Sequence, residues 1–100
     1  MISDSLLESV MLYIKADSAD ADTVNDLCSA AVEKCELETG KAFTEDSSLY
    51  CLSVKMLVAE WFDHRGQTTT ENLKEMPLAT NLQSILNQIA LSSEYEEVQA

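Results

Sequence analysis

Apolar residues recur along this chain with helical spacing in four separate stretches. The first runs from about Ser5 to Lys15, where Leu6, Val10, Tyr13 and Ile14 fall on one side. Asp4 or Ser5 is placed to cap it. The segment ADSADAD reads as a turn whose acids stand just before the next helix start. The second stretch runs from about Asp22 to Thr39. Val24, Leu27, Cys28, Ala31, Val32 and Cys35 share one arc, and Asn25, Asp26, Ser29, Glu33 and Glu36 the opposite one. Gly40 follows as the left-handed stop expected just past a helix end.

The third stretch, about Ser47 to Arg65 with Asp46 or Ser47 as cap, is different. Tyr50, Cys51, Val54, Leu57, Val58, Trp61 and Phe62 fill one arc of roughly 140°, the expected core face. Leu49, Leu52, Met56 and Ala59 form a second apolar stripe on the other side. Two readings fit such a helix and are compatible. It sits at the centre of its own domain, or the second stripe meets another subunit. A polar run, QTTTENLKEM, precedes Pro77; its three threonines favour a short extended excursion. Gln67, Thr68, Thr69, Thr70, Glu71 and Asn72 are candidate partner contacts there. A last helix is expected from Leu78 or Thr80 to Leu91, with Leu82, Ile85, Leu86 and Ile89 on one face.

The pattern therefore predicts an all-α fold: a compact bundle of four or five helices with a long, partly extended loop before the last one. Residues 1–91 form one helical domain, and residues 92–100 a loosely ordered acidic tail. One hundred residues suffice for one modest core. Two glycines and one proline are too few for an all-β domain, which needs turn residues every ~8–12 positions.

Charge narrows the function. Eighteen acids face six Lys and Arg, a net charge of −12, which repels nucleic acid and anionic membranes. Lys15, Lys34, Lys41, Lys55, Lys74 and Arg65 are scattered and build no basic patch. The start, MISDSLLESV, lacks the basic stretch of a signal peptide. No run approaches the ~20 apolar residues of a membrane span.

Candidate chemistry is thin. Glu60 and His64 lie four apart beside Asp63 and could share a metal, but His64 and Arg65 equally complement the helix C-terminus. Cys28 and Cys35, if on one helix, are separated by roughly 10 Å of rise, beyond the ~7 Å Cα reach of a disulfide. These two and Cys51 read as small core residues, and no zinc spacing is present. With glycine only at positions 40 and 66, no phosphate-cradling loop can be built. No catalytic, cofactor or metal site is expected, and what remains is a helical protein–protein module.

Four pieces of the chain resemble the small head–tail connector (adaptor) proteins of long-tailed phages and prophages. They are LLESVMLYIKAD with its ADAD turn, ETGKAF, LVAEWFDHRG and LKEMPLATNLQSIL, in that order between Leu6 and Leu91. LVAEWFDHRG and LKEMP are the most specific. Members of this family are also labelled as possible DNA-packaging proteins. The resemblance implies a non-catalytic, all-helical virion subunit. It assembles with copies of itself into a ring beneath the portal at the capsid vertex and extends the DNA channel towards a head-completion or tail protein. It implies the host cytoplasm during assembly and the head–tail junction afterwards. In that setting Leu49, Leu52, Met56 and Ala59 are expected to supply a subunit interface, and DNA passes without specific binding. The polar, Thr-rich loop and the acidic tail depart from the family pattern. The competing class is an acidic regulatory inhibitor of the DNA-mimic type. A mimic needs a duplex-like array of carboxylates, whereas these acids gather at turns and in the tail.

Overall fold

A computed structural model describes residues 2–64 and 78–98. Those residues form four α-helices: α1 (Asp4–Ile14), α2 (Ala21–Thr39), α3 (Ser48–His64) and α4 (Thr80–Leu91). A single 3-10 turn, Ser18–Asp20, leads into α2. The all-α bundle expected from the hydrophobic spacing is the observed fold.

Local chemistry sets the helix ends. Ser3, one residue earlier than expected, caps α1: its Oγ accepts the Leu6 N–H at 3.1 Å. At the other end Lys15 takes the left-handed conformation, φ 59°. The Ala16 N–H then reaches back to the Met11 carbonyl at 3.0 Å and the Lys15 N–H to that of Leu12 at 3.3 Å, a Schellman closure. Gly40, at φ 70°, ends α2 as expected, its N–H bonding the Glu36 carbonyl at 2.8 Å. Ser47 caps α3 by accepting the Tyr50 N–H at 3.1 Å.

Side-chain meetings fix the topology. Ser3, before α1, bonds Glu45, before α3. Tyr13, near the end of α1, lines a hollow with Met56, Ala59 and Glu60 of α3 and with Asn81 and Leu82 at the start of α4. Tyr95, just past α4, meets Tyr50 at the start of α3. Thus α1 and α3 run one way and α2 and α4 the other, an up-down-up-down bundle. Helix α3 packs against all three others. Its residues Tyr50, Val54, Leu57, Val58 and Trp61 are buried among Leu6 and Val10 of α1, Val24, Leu27, Cys28, Ala31 and Cys35 of α2, and Leu82, Leu86 and Ile89 of α4.

The structure corrects several expected placements. Phe62 and Cys51 are only partly buried, at the edges of the core arc. Tyr13 is 48% exposed, because the buried side of α1 is the Leu6–Val10–Ile14 line and Tyr13 lies at its margin. The acidic segment after α4 is not loose as far as Val98. Its backbone bridges residues 40–42, with Ala42 N–H to the Glu96 carbonyl at 2.7 Å and Val98 N–H to that of Gly40 at 2.9 Å. Lys41 Nζ meets Glu97 Oε1 at 2.7 Å. The acids of this segment face outward while Tyr95 faces in, a distinction that net composition hides.

Candidate interaction surface

The four-residue stripe on α3 divides into two halves. Leu49 and Leu52, at the N-terminal end, are 36% and 37% exposed, large apolar side chains that the fold covers only in part. Met56 packs against the edge of the core, and Ala59 is half-buried. Both line the hollow of about 200 Å³ bounded by Tyr13 of α1 and by Asn81 and Leu82 of α4. Of the two expected roles of α3, the central one is observed, since it packs against the other three described helices. One part of its outer face remains partly uncovered. Ser53, buried beside the stripe, returns its hydroxyl to the Leu49 carbonyl at 3.1 Å and so costs no unmet hydrogen bond.

A second apolar surface was not singled out from the sequence. Leu7, Met11, Leu12, Ala16 and Ala21 line a broad, open groove of about 640 Å³ between α1 and the turn into α2. Leu12 at its rim is 81% exposed. Asp4 and Glu8 stand along the same groove. The signal was present as the pair Leu7 and Met11, four apart and just off the core line of α1, where a one-faced surface helix would carry polar residues.

Polar groups around Tyr50 have a structural part. Its hydroxyl donates to the Lys41 carbonyl at 2.7 Å and lies 3.2 Å from Thr39 Oγ. Phe43 and Tyr95 pack edge-on to its ring with centroids at 5.1 and 5.7 Å. Tyr95 also shares a 2.7 Å hydrogen bond with Ser47. Burial pushes the Tyr50 phenol up to about 12, and the Cys28 and Cys35 thiols up to about 11 and 12, so none of the three ionises near neutrality. The Cys51 thiol, raised mainly by burial, points its sulfur at the Glu45 carbonyl, 3.6 Å away. Glu45 accepts both the Ser3 hydroxyl and the Ser3 N–H, and these bonds hold its carboxyl below the usual range.

Among the described residues no group of three His, Cys, Asp or Glu side chains could hold a metal ion. No helix of the described residues is long and apolar enough to cross a membrane. The candidate loop contacts Gln67, Thr68, Thr69, Thr70, Glu71 and Asn72 lie outside the described residues, as do the side chains of Asp63 and His64. Comparison with protein-family models, curated protein sequences and solved structures finds no match to this chain.

Proposed function

We propose that this chain is a structural subunit of a phage or prophage virion. Copies assemble into a ring that joins the portal vertex of the capsid to the tail and continues the DNA channel. The observation that carries this reading is the partly exposed Leu49–Leu52 surface on the central helix. Burying a leucine side chain fully stabilises by about 1.5–3 kcal/mol, so covering the exposed third of two neighbouring ones would favour a partner. The ordered resemblance of LVAEWFDHRG and LKEMPLATNLQSIL to the connector family says which kind of partner. The surplus of acids suits a lining past which DNA slides, since phosphate contacts to Lys and Arg are what hold DNA in place. No step of this function requires catalysis, a metal or a cofactor.

A pull-down separates the reading from the inhibitor class. The full chain is expected to bind the portal protein of its own phage or prophage and to ignore DNA-binding enzymes. Retention by such an enzyme, relieved by added duplex, together with no retention by the portal, would place the chain among the DNA mimics instead.

A further inference from the structure

We infer that the groove along α1 is the receiving half of the subunit contact, and that it seats Leu49 and Leu52 of a second copy of this chain. The inference rests on the ring reading and names the surface that reading leaves open. A ring contact is heterologous, so each subunit must present two different patches, one entering and one receiving. The α3 leucines, three apart, project from one side of a helix and form the entering ridge. The groove is a trough. The closure at Lys15 folds Ala16 back towards Met11, and the small side chains of Ala16 and Ala21 keep the trough wide. It lies between α1 and the entry to α2, whereas the ridge lies on the N-terminal half of α3. Two such patches on different sides allow each copy to give and to receive at once.

Charge selects this pairing. Asp4 and Glu8, four apart on α1, form a negative edge to the groove. Lys55 stands three residues from Leu52 on α3. Among the described residues Lys34 is paired with Glu38 and Lys41 with Glu97, while Lys15, beside the groove itself, and Lys55 make no ion pair. Copies of a chain with net charge −12 repel each other on approach. Seating the ridge in the groove brings the unpaired Lys55 to the Asp4–Glu8 edge, and so sets a local attraction against that repulsion.

Sedimentation equilibrium of the full chain up to millimolar concentration tests this, with two single variants, Leu12→Glu and Leu52→Glu. Both side chains are exposed, so far-ultraviolet dichroism should show native helicity in each. The unaltered chain should associate beyond a dimer, and each variant alone should remain monomeric. Their equimolar mixture should form dimers and nothing larger, because one intact groove then meets one intact ridge. Either variant associating like the unaltered chain, a mixture that stays monomeric, or an unaltered chain that stays monomeric throughout would overturn the inference. Rings formed on the portal by Leu12→Glu as readily as by the unaltered chain would overturn the groove assignment alone and leave the connector reading standing. Absence of rings with any version would overturn both.

Discussion

Tyr50 shows at the scale of one residue how this fold is held. Its ring is buried between Phe43 and Tyr95, and its hydroxyl closes the turn after α2 through the Lys41 carbonyl. Burial also keeps it protonated, as it does Cys28 and Cys35. The direction of the pH effect follows. Unfolded, the thiols ionise near 9.0 and the phenol near 10.0; folded, they do so near 11 to 12. Folding therefore favours the protonated forms. Their contribution is complete below about pH 9 and is lost as pH rises through the folded values. Melting temperature followed by circular dichroism should be flat on the alkaline side up to about pH 8 and fall steadily above about pH 9. A melting temperature unchanged at about pH 11 would contradict the buried placement of these three groups.

At the scale of elements, the helices were legible because each carries a 3.6-residue apolar period and an end signal. Gly40 is the clearest instance, a residue whose left-handed φ of 70° is the one its type permits cheaply. What the period could not reveal was which apolar residues lack a partner. Leu49 and Met56 belong to the same stripe, yet Leu49 is open and Met56 is packed at the core edge, because Tyr13 and the start of α4 flank only the second half of α3. The groove on α1 was missed for a similar reason. It is made by two elements meeting, and Ala16 and Ala21 carry no signal alone. The segment after α4 was misjudged because three glutamates outweighed one tyrosine in the composition. Tyr95→Ala should lower stability by about 1–3 kcal/mol, through a lost ring contact and a lost hydrogen bond, or roughly 5–15 °C in melting temperature. Tyr95→Phe, which keeps the ring, should lose about 1 kcal/mol. Thermal melts indistinguishable from those of the unaltered chain would mean that this segment is not held against Tyr50 in solution.

At the scale of the whole molecule, two properties act together. Among the described residues the chain closes a core around α3. It also presents partly uncovered apolar surface at Leu49–Leu52 and along the α1 groove, on a body of net charge −12. Such a body associates with its copies weakly when free, at high concentration, and more readily once a template raises their local concentration, since like net charge opposes encounter while short-range apolar contact rewards it. The portal is the template proposed here. In the proposed ring the same charge would keep the channel free of bound DNA, because counterion release at Lys and Arg contacts, the main source of DNA affinity, is not on offer.

The most direct measurement is electron microscopy of the full chain mixed with the portal protein of its own phage or prophage. The account expects a closed ring of this chain stacked coaxially on the portal, with an acidic lumen continuous with the portal channel. Portals that remain bare at saturating concentrations of the chain, or a ring whose lumen is neutral or basic, would contradict it.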